Sequence, residues 1–115
     1  MTKQNLLSAH KNYLIVFVTT PSVRISRQLA HQILKSRLAA CVNYFSGIQS
    51  IYPWQGRLTT SRESLMLIKT HEKCWTKLKN EIQKYHPYQI CEILAVSVVH
   101  GNGAYLKWVF ENLKD

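Results

Sequence analysis

Apolar residues follow two spacings along the chain, one typical of buried strands and one typical of amphipathic helices. Residues 13–19 form a nearly unbroken run of aromatic and β-branched side chains, which predicts a central strand. Pro21 interrupts this run, and Ser22 is a candidate N-cap for a following helix. The apolar face of that predicted helix consists of Ile25, Leu29, Ala30, Ile33 and Leu34.

A long hairpin is predicted in the middle of the chain. Residues 38–52 and 58–70 have strand-like patterns, and Gln55-Gly56 between them is a typical hairpin turn. Ser46-Gly47 predicts a bulge or bend in the first strand. Because Pro53 has no N–H for a ladder, this end of the hairpin should be a sheet edge or project beyond the sheet.

Three further elements complete the pattern. Residues 72–85 predict a helix that ends at His86-Pro87, because a residue before proline avoids the helical region. Its apolar face is formed by Trp75, Leu78 and Ile82. Residues 90–99 predict a strand, and residues 105–113 predict a short final helix with Leu106, Val109, Phe110 and Leu113 inward.

The order of elements predicts an α+β fold: a ferredoxin-like split βαβ sandwich with a long β2–β3 hairpin and an extra C-terminal helix. We expect residues 1–11 to be a flexible N-terminal tail and residues 12–115 to be a single domain.

The hairpin also suggests self-association. Its tip carries Ile51, Tyr52 and Trp54, and an isolated two-stranded ribbon is marginal in water. Most soluble oligomers are symmetric homo-oligomers. We therefore expect these three residues at an interface between copies of the chain.

Composition narrows the class of protein. No apolar stretch approaches the roughly 20 residues of a membrane span, and the polar start is unlike a signal peptide. The cysteines, Cys41, Cys74 and Cys91, form no Cys-x-x-Cys pair, so we expect reduced, buried thiols in a cytoplasmic protein. The net charge of +9 comes from scattered residues, which favours a solvated basic surface, with nucleic acid as the competing partner.

The most distinctive polar cluster follows the second predicted helix. His86 and Tyr88 flank a proline, and Glu92 follows at the start of the next strand. An imidazole and a carboxylate suit a divalent metal, and Glu63 is the best candidate for a third ligand. The alternative is that His86 makes structural hydrogen bonds near the helix end. No nucleophile, base and orienting residue can be named together, so the sequence does not predict an enzyme.

Four motifs, in order, resemble one family. The segments RLAACVNYFSGIQSIYPWQGRL (37–58), ESLMLIKT (63–70), HPYQICEI (86–93) and YLKW (105–108) are very similar to the CutA family, the divalent-cation-tolerance proteins. The resemblance implies a ferredoxin-like subunit in a tight homotrimer, and a cytoplasmic protein linked to tolerance of copper and other divalent metals. We expect copper or another divalent cation to be bound weakly and no cofactor to be essential. Such trimers resemble PII signalling proteins, so small-ligand sensing is an alternative.

The resemblance also assigns site residues. Positions that the family tends to keep around its inter-subunit cleft are matched by Glu63, Lys69, His86, Tyr88, Glu92, Tyr105 and Trp108. Trp54 matches the tryptophan of the hairpin tip. Pro53 and Cys91 depart from the pattern, since relatives usually have an aromatic residue and a proline there. Some copper-binding members carry cysteine at the position of Val18 and histidine at that of Tyr85, so we expect copper to bind this chain weakly.

Overall fold

A computed structural model describes residues 11–115 of the protein. The elements are β1 (Tyr13–Thr20), α1 (Val23–Lys35), β2 (Cys41–Trp54), β3 (Arg57–His71), α2 (Trp75–Tyr85), β4 (Ile93–Ser97) and α3 (Gly103–Glu111), with a 3₁₀ turn (Glu72–Cys74) before α2. This is the order predicted from the sequence. The predicted N-terminal tail lies, except for Lys11, outside the described residues.

The strands form one antiparallel sheet in the order β2-β3-β1-β4. Since β3 lies between β1 and β2 and is antiparallel to both, β1-α1-β2 is a split βαβ unit. Every second side chain of β1 and β3 points to the helices, and Val16, Val18, Met66 and Ile68 are fully buried there. The predicted ferredoxin-like fold is confirmed.

Helix α1 begins where the sequence places it. The Ser22 Oγ accepts a hydrogen bond from the N–H of Ile25 at 3.2 Å, as an N-cap should. One predicted core position is wrong: Leu34 is 37% exposed. The side chain of Ile33 points into the core, and the next residue of a helix, here Leu34, points about 100° away from it.

Half of the central hairpin extends beyond the rest of the sheet. β1 pairs with residues 64–71 of β3, so residues 57–63 pair with β2 alone. We call residues 48–54 and 57–63 the ribbon. The predicted bulge lies between Phe45 and Ile48, and the predicted turn has positive φ at both Gln55 (50°) and Gly56 (76°), as a type I′ turn requires.

The last two elements differ from their predicted bounds. β4 spans five residues rather than ten, and Ile90 and Val99 are exposed. The ladder with β1 stops at Val18–Ile93, because the carbonyl of the next residue, Thr19, is bonded by the His86 ring. α3 begins two residues early and ends at Glu111.

The start of α3 has a local cause. The side-chain oxygen of Asn102 accepts hydrogen bonds from the N–H groups of Ala104 and Tyr105, which caps the helix. The cysteines are free as predicted, but only Cys74 is buried. Cys41 begins the edge strand β2 and Cys91 precedes β4, so both stay partly exposed.

Candidate functional site

A cleft of about 510 Å³ lies between the ribbon and the segment that joins α2 to β4. Its lining residues are Thr19, Tyr52, Trp54, Glu63, Pro87, Tyr88, Gln89, Ile90 and Glu92. We call it the ribbon cleft. Tyr52, Trp54 and Glu63 share one face of the ribbon because side chains on a strand alternate and cross-strand partners point the same way. Ile51 therefore lies on the opposite face.

The carboxylate of Glu63 is the most unusual group in the ribbon cleft. Glu63 is only 8% exposed, and the Tyr88 hydroxyl donates a hydrogen bond to its Oε2 at 3.3 Å. Within residues 11–115 the one ion pair joins Lys107 to Glu111, so Glu63 has no basic partner there. A buried carboxylate without a cation is costly. The cleft thus presents a negative charge that this part of the chain does not neutralise.

His86 lies next to the ribbon cleft and uses both ring nitrogens within the chain. Its Nδ1 accepts a hydrogen bond from the N–H of Tyr88 at 3.1 Å. Because Nδ1 needs a lone pair to accept this bond, the ring hydrogen lies on Nε2. The Nε2–H donates to the carbonyl of Thr19 at 2.7 Å. His86 thus holds Tyr88 and the end of β1 in place, and a metal could bind its ring only after one of these bonds broke.

The predicted metal ligands are therefore only partly brought together. Glu63 and Glu92 line the same cleft, whereas the His86 ring bonds to Thr19 and Tyr88. Among the described residues there is no group of three or more His, Cys, Asp or Glu that could hold a metal ion. Two carboxylates are hard oxygen donors, which suit Mg²⁺, Ca²⁺ or Mn²⁺ better than copper. A three-ligand site stays a prediction for the assembled protein.

The predicted cleft residues fall into two groups. Lys69 lies six positions beyond Glu63 on β3, about 20 Å along a strand. Near Lys69, its β2 partner Cys41 hydrogen-bonds with Tyr105, whose ring stacks on Trp108 at 5.8 Å. Lys69, Tyr105 and Trp108 thus sit at the end of the sheet remote from the ribbon cleft of the same chain.

The electrostatics of the ribbon cleft favour a cation. Burial raises the pKa of Tyr88, and the negative charge of Glu63 and its hydrogen bond raise this pKa further. The phenol therefore stays a hydrogen-bond donor at neutral pH. Glu63 and Glu92 line the cleft, and none of the lysines and arginines within residues 11–115 does.

Sequence reasoning missed three lining residues. No sequence pattern marks Thr19 as a site residue, because it takes part through its backbone carbonyl, which accepts a hydrogen bond from His86. Gln89 lies on the connecting segment, where no pattern marks a binding residue. Ile90 was assigned to a strand, whereas it lines the cleft and is exposed.

The chain has relatives of known fold and name. A family model described as "CutA1 divalent ion tolerance protein" matches residues 14–112. The chain belongs to the CutA family. A divalent-cation tolerance protein CutA from Thermus thermophilus is 42% identical over 98 residues, which cover 85% of this chain and 95% of that protein. The crystal structure of CutA1 from Oryza sativa has a TM-score of 0.90 and 34% identity, with 94% of this chain and 99% of that one covered.

Not all relatives match in length or location. The chain spans 52% to 62% of several curated CutA proteins from animals and plants. A structural relative from Archaeoglobus fulgidus, with a TM-score of 0.86 and 28% identity over 89% of this chain and 99% of that one, is described as periplasmic. Among residues 11–115 no helix is long and apolar enough to cross a membrane.

Proposed function

We propose that the protein is a homotrimer that responds to divalent cations by binding them weakly in the ribbon cleft, without catalytic turnover, in the cytoplasm. The observation that carries the proposal is the buried carboxylate of Glu63, which lacks a basic partner in the described residues. The names of the CutA relatives, which refer to divalent-cation tolerance, agree with a cation as the ligand.

Exposed apolar surface supports the assembly. On the ribbon face opposite the cleft, Ile51 is 65% and Leu58 is 75% exposed. On the sheet face opposite α1 and α2, Phe45, Leu94 and Val96 are also exposed. Such surface in a soluble protein marks an interaction site.

An obligate interface of about 2,000 Å² or more would cover this surface. Light scattering at low micromolar concentration should then give three times the chain mass of 13.4 kDa. A stable monomer at that concentration would refute the assembly.

Packing between copies is also our proposed route to a complete cleft. Lys69, Tyr105 and Trp108 are remote from Glu63 in one chain, so they can line its cleft only from a neighbouring subunit. Each subunit would supply the ribbon cleft with its carboxylates and, at its other end, the second wall of the next cleft. A head-to-tail contact of this kind closes into a ring when the rotation is one third of a turn.

The cation should bind through oxygen. Glu63 and Glu92 offer carboxylates, while the His86 nitrogens are occupied. We therefore expect Mn²⁺ or another hard cation to bind at least as well as Cu²⁺, and both to bind weakly. We expect no metal to be essential to the fold, because the core of the subunit is apolar.

Calorimetric titration with Mn²⁺ and Cu²⁺ tests the site. The variant Glu63→Gln with Glu92→Gln should lose Mn²⁺ binding, because it removes both charges of the cleft and keeps the side-chain volumes. Glu72→Gln removes an exposed carboxylate outside the cleft and should bind like the wild type. Equal Mn²⁺ affinity in wild type and double variant would place the cation elsewhere.

A further inference from the structure

We infer that the preferred ligand of the ribbon cleft is a small organic ammonium ion, such as a quaternary amine, rather than a bare metal ion. The inference rests on the proposed function, in which this cleft is the cation site. It names the chemical class of the cation from the walls of the cleft.

Three aromatic residues line the cleft together with the carboxylates. Tyr52 and Trp54 come from the ribbon, and Tyr88 comes from the segment across the cleft. The Tyr52 hydroxyl shares a hydrogen bond with Ser61 Oγ at 3.1 Å, and the Tyr88 hydroxyl is bonded to Glu63. Both phenol groups are therefore fixed. Aromatic rings around a cation are the usual recognition site for quaternary ammonium groups.

The charge at the cleft completes this recognition. Glu63 is buried beside the Tyr88 hydroxyl, and Glu92 lines the same cleft. Among residues 11–115 of the same chain, no lysine or arginine lines the cleft. In the proposed assembly an anionic ligand would meet two carboxylates and a single lysine, Lys69 of the neighbouring subunit, so the cleft favours positive charge.

The size and apolar walls argue against a metal ion as the preferred occupant. A cleft of about 510 Å³ is within the usual range of small-molecule sites, and a single metal ion would leave most of it to water. That water would lie against Pro87, Ile90 and Trp54. An alkylammonium ion instead places its methyl groups on those side chains and its charge near Glu63. The cleft also lacks a free imidazole or thiolate for a transition metal.

Calorimetric titration with choline, its neutral isostere 3,3-dimethyl-1-butanol, and Mn²⁺ tests the inference. Choline should bind about ten-fold or more tightly than the isostere, since the cation–π contacts and the carboxylate act only on the charge. Glu63→Gln should lower the affinity for choline by about ten-fold, and Glu72→Gln should leave this affinity unchanged.

A matched pair of variants separates the ring from the hydroxyl. Tyr88→Phe keeps the aromatic face and should retain most of the choline affinity, whereas Tyr88→Leu should lose about ten-fold. Trp54→Leu gives a second test of the aromatic wall if Tyr88→Leu does not fold. Light scattering on each variant shows whether the assembly is retained, and only assembled variants are compared.

The outcomes distinguish this inference from the proposed function. If Mn²⁺ binds in a Glu63-dependent manner and choline does not bind, the ammonium inference is wrong and the cation site stands. Equal affinity for choline and its neutral isostere would also overturn the inference. If neither choline nor Mn²⁺ binds, both the inference and the proposed cation site are wrong.

Discussion

Replacing His86 by alanine should destabilise the fold, because this side chain links two parts of the backbone. The ring is 7% exposed, its Nε2–H donates to the Thr19 carbonyl, and its Nδ1 accepts from the Tyr88 N–H. Alanine removes both hydrogen bonds. The Thr19 carbonyl is then left in a buried place, whereas the Tyr88 N–H lies near the surface.

The size of the effect follows from these contacts. A neutral hydrogen bond contributes about 0.5–1.5 kcal/mol, and a buried polar group left without a partner costs about 1–3 kcal/mol. The alanine variant loses the bond to Tyr88 and leaves the buried Thr19 carbonyl without a donor. Together these losses should lower the free energy of unfolding by about 2–4 kcal/mol. With a urea m-value of about 2 kcal/mol/M, the midpoint should fall by about 1–2 M.

Two variants of similar shape separate the bonds. His86→Asn keeps an acceptor near the Nδ1 position, and His86→Gln keeps a donor near the Nε2 position, so each should recover part of the loss. Urea unfolding is followed by circular dichroism at one protein concentration, because assembly adds to the measured stability. An unchanged midpoint in His86→Ala, together with loss of metal binding, would show that His86 is a ligand and not a structural residue.

Further predictions concern assembly and titration. Leu58→Asp should break the trimer, because this exposed leucine lies on the proposed interface, whereas Gln55→Asp at the hairpin turn should not; light scattering compares the two. Burial raises the pKa of Cys74 above its ordinary value of 9.0, so the unfolded chain loses this proton first. Stability should therefore fall as the pH rises above about 9, and should fall less in Cys74→Ala. Because burial also raises the pKa of Cys91 and Tyr13, an equal fall in both proteins is the result that would contradict this role of Cys74. Glu63→Gln should lower the pKa of Tyr88, because it removes a nearby negative charge. A tyrosinate difference spectrum measures this pKa, and an unchanged value would show that Glu63 does not act on Tyr88.

Local signals in the sequence were sufficient for most of the fold. Ser22 caps α1, Gln55-Gly56 forms the predicted turn, and the bulge follows Phe45 as Ser46-Gly47 indicated. Each of these features is decided by the chemistry of a few neighbouring residues. The order of elements then leaves few ways to build an antiparallel sheet.

Long-range contacts account for what the sequence did not show. β4 begins only at Ile93, next to the point where the His86 ring occupies the Thr19 carbonyl, and no pattern in residues 90–99 reveals a partner so far away in the chain. The same contact occupies the Nε2 of His86, and the Tyr88 N–H occupies its Nδ1. One feature could have been predicted: the alternation of side chains along a strand already puts Ile51 and Tyr52 on opposite faces of the ribbon.

Part of the candidate site was predicted from the sequence, and the rest depends on the fold. Glu63, Tyr88 and Glu92 were named from the sequence and line one cleft. They were chosen as polar groups near a proline-stiffened turn, and the family resemblance agreed with that choice. The aromatic character of the cleft came from the fold, which brings Tyr52 and Trp54 opposite Tyr88. In the proposed trimer, Lys69, Tyr105 and Trp108 would reach a cleft only through contacts between subunits, which one chain does not contain.

A crystal structure of the protein soaked with Mn²⁺, with anomalous data recorded, tests the proposed function most directly. We predict a three-fold assembly and an anomalous peak within coordination distance of the Glu63 and Glu92 carboxylates. A different assembly, or Mn²⁺ bound only away from the ribbon cleft, would contradict the proposal.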